Sequence, residues 1–88
     1  MNNQIRNWLE HAVYGIYNAV EQQLYELHQN SAEITESTIE SLIDSNIELA
    51  MQNGEWHITQ AIKGLVKESI DTKHLLNEYG TEEENDGS

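Results

Sequence analysis

Residues 3–29, NQIRNWLEHAVYGIYNAVEQQLYELHQ, place apolar side chains at Ile5, Trp8, Leu9, Ala12, Val13, Ile16, Tyr17, Val20, Leu24 and Leu27. The recurrence at three and four residues is a helical period held for six turns. Asn2 or Asn3 can cap its start with a side-chain oxygen, and Gln29-Asn30-Ser31 is a natural stop. At 1.5 Å per residue such a helix is a rod of roughly 40 Å, long for a chain of 88 residues.

Two further segments follow from the same periodicity. Ile39, Leu42, Ile43, Ile47, Ala50 and Met51 form the apolar face of a helix over 36–52, started by the capping box Ser37-Thr38-Ile39-Glu40 or by Thr35 as N-cap. Asn53-Gly54 ends it, with Gly54 suited to the left-handed position after the helix. A third helix over 55–79 carries Ile58, Ala61, Ile62, Leu65, Val66, Leu76 and Tyr79 on one face if unbroken; the alternative is a bend near Asp71, itself an N-cap residue. No period-2 alternation or hairpin dipeptide points to β-structure. The expected fold is all-α, a three-helix antiparallel bundle in one domain over 1–80, dimeric, with an acidic disordered tail over 81–88.

Composition narrows the function classes. Sixteen Asp and Glu against four Lys and Arg give a net charge of −12 and a pI near 4.4. That sign opposes direct nucleic-acid binding, where phosphate neutralisation supplies most non-specific affinity. The absence of Cys removes thiolate metal sites, cysteine nucleophiles and disulfide scaffolds, so a reducing cytoplasm is the expected compartment. No segment approaches the roughly 18 apolar residues of a membrane span, and no secretory signal pattern opens the chain. Leu, Ile, Val and Phe make up 20 of 88 residues, just above the range under about 20% that marks disordered chains.

The arrangement of charge is more telling than its total. From Asn7 to Ile62 the chain carries nine acids and no Lys or Arg. Within that window Glu36, Glu40, Asp44 and Glu48 recur every fourth residue, setting like charges about 6 Å apart along the second helix. Each such pair destabilises a helix by roughly 0.2–0.5 kcal/mol, so the row is either a solvated face or a negative surface offered to a basic partner. Duplex DNA carries one charge per roughly 1.7 Å of axis, so imitating it requires more acids than this row supplies. Glu10, Glu21 and Glu26 of the first helix, the tail and a second subunit would add them.

At Leu75-Leu76-Asn77-Glu78-Tyr79 and the acidic run after it, the sequence resembles the C-terminal region of the phage overcome-classical-restriction family, small acidic helical DNA mimics. The resemblance implies a dimer whose carboxylates occupy phosphate sites of a DNA-handling defence enzyme in the host cytoplasm. Residue by residue it carries over to Glu78, Glu82, Glu83, Glu84 and Asp86 as mimic carboxylates. This chain is shorter and less acidic, and Gly80 interrupts the tail, so the target is a restriction enzyme, a CRISPR effector or another nucleic-acid binder. The resulting expectation is a non-enzymatic inhibitor, needing no cofactor, that meets a basic nucleic-acid-binding protein through Glu33, Glu36, Glu40, Asp44, Glu48 and the tail. The alternative is a structural or adaptor module that oligomerises through its apolar helix faces.

Other residues carry weaker signals. Tyr14 and Tyr25 lie opposite the apolar line of the first helix, where they can anchor a partner or a second subunit. Trp56 is placed to cover the end of the core. Asp71, His74 and Glu78 share one side of the third helix, which would suit a metal only with ligands from elsewhere, because the Glu-x-x-His pairs of helical di-metal sites are missing. Lys67 and Asp71 are spaced for an exposed ion pair. His11, His28 and His57 fall at scattered phases and read as surface residues. Gly15 and Gly64, each about 1 kcal/mol less favourable than Ala in a helix, suggest a close approach between the first and third helices or between subunits.

Overall fold

A computed structural model describes residues 3–81, and these are entirely helical or irregular, with no strand among the described residues. α1 spans Asn3–Gln29 and α2 spans Glu36–Gln52, the ranges the periodicity predicts. Thr35 is the N-cap of α2: its hydroxyl accepts from the Thr38 backbone N–H, and the Thr35 N–H donates to the Thr38 hydroxyl. The reciprocal partner is thus Thr38, and Glu40 stays exposed. Gly54 adopts φ 70° after the helix, as its position suggested.

The third segment departs from expectation. In place of one helix over 55–79 there is a 3-10 turn at Glu55–His57, then α3 at Gln60–Glu68 and α4 at Thr72–Tyr79. The α-helix cannot begin at Glu55, since Trp56 and His57 both sit in the left-handed region, with φ of 54° and 53°. The second break has a packing cause. In an unbroken helix at 3.6 residues per turn, Leu75 would project about 180° away from Val66. The turn at Ser69-Ile70-Asp71 re-aims it, so that Val66, Ile70 and Leu75 are all buried. Asp71 restarts the helix by accepting from the His74 N–H at 3.1 Å, the bend that the sequence offered as its alternative.

The core is a ladder of Ala12, Ile16, Val20 and Leu24 from α1 against Ile39, Ile43 and Ile47 from α2, closed by Ile58, Val66, Ile70 and Leu75. No polar or charged residue is buried among the described residues. Ile34, isolated in the loop between α1 and α2, is also fully buried. Its N–H donates to the Thr81 hydroxyl at 2.7 Å and its carbonyl accepts from the Thr81 N–H at 2.8 Å. Thr81 therefore belongs to the folded body and not to a tail beginning at 81; residues 82–88 of that tail lie outside the described residues.

Trp56 covers one end of the core, packed over Gly15, and its carbonyl accepts from Trp8 Nε1. A Cβ at Gly15 would lie 2.5 Å from Trp56 Cζ2, so that glycine accommodates an indole, not an approach of α3. Gly64 has no atom within 4 Å of where its Cβ would be, so it makes no close approach within the chain. No helix among the described residues is long and apolar enough to cross a membrane.

Candidate functional site

The acidic row of α2 is not cation-free once the chain is folded. α3 packs beside α2 with Lys63 and Lys67 at the same four-residue spacing as Glu48 and Asp44, and pairs with both. Lys63 donates to Glu48, and Lys67 lies 3.0 Å from Asp44. Chiefly this hydrogen bond, and then the charges of Glu48 and Asp44, push the Lys63 ammonium up from its ordinary value, against the opposing effect of desolvation. The row thus divides: Asp44 and Glu48 form a structural contact, while Glu33, Glu36 and Glu40 remain exposed. Lys67 pairs with Asp44 and not with Asp71, whose carboxylate caps α4.

A second acidic surface lies along α1. Leu9, Val13, Tyr17, Glu21 and Tyr25 form one i, i+4 row beside the core row, and Glu10, Tyr14, Asn18, Gln22 and Glu26 form the next row outward. Two open recesses follow these rows. One, of about 300 Å³, is lined by Leu9, Glu10, Val13, Tyr14 and Tyr17 with Ser69 as its wall. The other, of about 460 Å³, is lined by Glu21, Gln22, Tyr25 and Glu26 with Tyr79 as its wall. Both walls exist because the chain turns at Ser69–Asp71 and sends α4 back along α1.

Tyr17 lines the first recess and Tyr79 the second. The Tyr79 hydroxyl donates to Glu21 Oε2 at 3.2 Å. Burial pushes the phenols of Tyr17 and Tyr79 up from their ordinary value, and Glu21 and Glu78 reinforce the shift at both; Asp71 adds to it at Tyr17. The surface is therefore aromatic, flanked by several carboxylates and without an Arg or Lys salt bridge. Tyr14 and Tyr25 are exposed at 67% and 56%, facing out as their helical phase predicts.

No protein-family model, curated protein or solved structure matches this chain. The likeness of Leu75–Tyr79 and the following acids to anti-restriction proteins thus rests on those residues alone. Of the carboxylates it nominates, Glu78 is exposed on α4, 3.9 Å from His74 Nε2, an ion pair when that imidazole is protonated. Glu82, Glu83, Glu84 and Asp86 lie outside the described residues.

Asp71, His74 and Glu78 do not assemble into a metal-binding group, and no cluster of three His, Asp or Glu does so among the described residues. His11, His28 and His57 are exposed. Three contributors went unread in the sequence: Lys63 and Lys67 as partners of the acidic row, and Glu21 with Tyr79 as a bonded pair. The matching four-residue spacing of Lys63/Lys67 and Asp44/Glu48 was the available signal for the first two. The Glu21–Tyr79 pair spans 58 positions and had no local signal.

Proposed function

We propose that this chain is a non-enzymatic acidic inhibitor that competes with nucleic acid for a basic binding protein, in the manner of DNA mimics directed at restriction or CRISPR-type defence. One observation carries the reading: of the twelve acids between Asn3 and Thr81, only Asp44 and Glu48 are held by a lysine. The remaining carboxylates on α1 and at the start of α2 are available to Arg and Lys of a partner, which bind carboxylate and phosphate with the same geometry. The likeness around Leu75–Tyr79 and the acids of 82–86 support the same class of target.

The experiment is displacement of labelled duplex DNA from purified restriction and CRISPR effectors, followed by fluorescence anisotropy at low and high salt. Displacement at low salt that fades as salt shortens the screening length is the expected result. It should weaken in a Glu33→Gln/Glu36→Gln/Glu40→Gln variant. DNA that stays bound in every complex overturns the reading.

A second reading, a module that assembles with its own copies, is favoured by Leu49 and Leu65, exposed at 58% and 51%, and by the open space over Gly64. Sedimentation of the chain and of a Leu65→Glu variant tests it: a dimer that the substitution dissociates supports self-association, and a monomer in both removes it.

A further inference from the structure

The two recesses share no lining residue but follow the same two rows of α1, and taken together they trace one furrow. Together they use nine of the ten residues in the two i, i+4 rows from Leu9 to Glu26, with Ser69 and Tyr79 as the opposite wall. Rows at i, i+4 are the ridges between which a second helix seats its own ridge. The furrow is polarised along its length: Leu9, Val13 and Tyr17 make the first half apolar, and Glu21, Tyr25, Glu26 and Tyr79 make the second acidic and aromatic.

We infer that this furrow is the docking groove for an amphipathic basic helix of the partner protein, which seats an apolar anchor between Val13 and Tyr17 and a Lys or Arg between Tyr25 and Tyr79. The inference rests on the reading that the partner is basic and moves its principal contact from α2 to α1. Charge complementarity selects the occupant. A second copy of a chain carrying −12, or the four acids of 82–88, would bring like charge to Glu10, Glu21 and Glu26. A cationic side chain is attracted to tyrosine faces and carboxylates together, and apolar groove contacts supply the desolvated anchor. The rows span about 18 residues, so the matching helix is roughly 26 Å long.

The test uses the full chain, isotopically labelled for NMR, and a synthetic helix of about 18 residues with Leu at i, i+3, i+4, i+7 and Lys or Arg elsewhere. A peptide of the same composition with scrambled order serves as control. Binding should perturb amides from Leu9 to Glu26 and at Tyr79, and the scrambled peptide should bind at least tenfold more weakly. Replacing two exposed interface aromatics, Tyr14→Ala/Tyr25→Ala, should also weaken binding about tenfold, with helicity unchanged by circular dichroism. Perturbations confined to Glu33–Glu48, or equal affinity for the scrambled peptide, overturn the groove. If DNA displacement succeeds while the helix leaves α1 unperturbed, the groove is wrong and the mimic reading stands. If the helix binds α1 while no DNA is displaced, the groove stands and mimicry falls.

Discussion

Gly15→Ala and Gly64→Ala make the same chemical change in two helices and should move stability in opposite directions. In an unstrained helix interior the added methyl is worth about 0.8–1 kcal/mol. Gly64 should return that gain in full, because its Cβ would meet nothing within 4 Å. At Gly15 the Cβ would stand 2.5 and 2.7 Å from Trp56 Cζ2 and Cη2. Carbon atoms rest at about 3.5–4.0 Å, so the indole has to retreat by roughly 1 Å. That retreat is constrained, since Trp56 lies at φ 54° and its carbonyl holds Trp8 Nε1. Overpacking of this kind costs about 1–3 kcal/mol, which leaves Gly15→Ala destabilising by up to about 2 kcal/mol. The difference between the variants cancels helix propensity and isolates the overpacking, roughly 1–3 kcal/mol. Urea unfolding followed by tryptophan fluorescence measures it, and each kcal/mol should also appear as about 4–8 °C in Tm. Equal stabilisation by both substitutions would refute the seating of Trp56 on Gly15.

Three further outcomes are expected. A double-mutant cycle on Lys67 and Asp44 should return a coupling of roughly 0.2–1 kcal/mol that shrinks in high salt, as for an exposed pair; zero coupling at low salt would remove the contact. Asp71→Ala should lower stability by about 0.5–2 kcal/mol through loss of the α4 cap, and Asp71→Asn should restore most of it, read by thermal unfolding. The folded state holds the phenol protons of Tyr17 and Tyr79 more tightly than the unfolded chain does. That contribution is therefore complete below the ordinary tyrosine value of 10.0 and is lost as pH rises from there through the folded-state values. Denaturant midpoints taken across the alkaline range should fall accordingly, and fall less in Tyr79→Phe.

What could be read in advance was what is encoded locally. The ends of α1 and α2 follow from the 3.6-residue recurrence and from Thr35, Asn53 and Gly54, all of which act within one turn of themselves. In the third segment Asp71 marks the bend locally as an N-cap, but the rest of the geometry is imposed from a distance. Left-handed Trp56 and His57 have no glycine to announce them; Trp56 is held by Gly15 and Trp8, more than forty positions away. Leu75 displaced Leu76 as the buried residue of α4 only because the chain turns at Ser69–Asp71. Ile34 gave no periodic signal, standing alone between polar neighbours. At the candidate surface, the exposure of Tyr14 and Tyr25 was legible from helical phase, whereas the Tyr79 wall needed α4 in place.

The fold also changes what the acidic row of α2 means. Four carboxylates at i, i+4 look like a penalty, at roughly 0.2–0.5 kcal/mol per like-charge pair, borne by a solvated face or offset by a basic partner. Each end of the row has instead an intramolecular reason to exist. Glu36 occupies the first turn of α2, where the positive end of the helix dipole favours an acid, and Asp44 and Glu48 are matched by Lys67 and Lys63. Only Glu40 lacks such compensation, so the row by itself requires no partner. The α1 surface differs in kind. Glu21 and Glu26 lie in the middle and last turns of their helix, where the dipole gives an acid no help or opposes it, and neither meets a Lys or Arg. Glu21 also stands beside Tyr17 and Tyr79, whose phenols its charge pushes up. Glu26 with no intramolecular partner and Glu21 with only the Tyr79 hydroxyl, beside aromatic rings left partly open, are where a cationic partner gains most. On the proposed reading, then, a partner's cations are drawn chiefly to α1, because Asp44 and Glu48 on α2 are already held by Lys67 and Lys63 of α3.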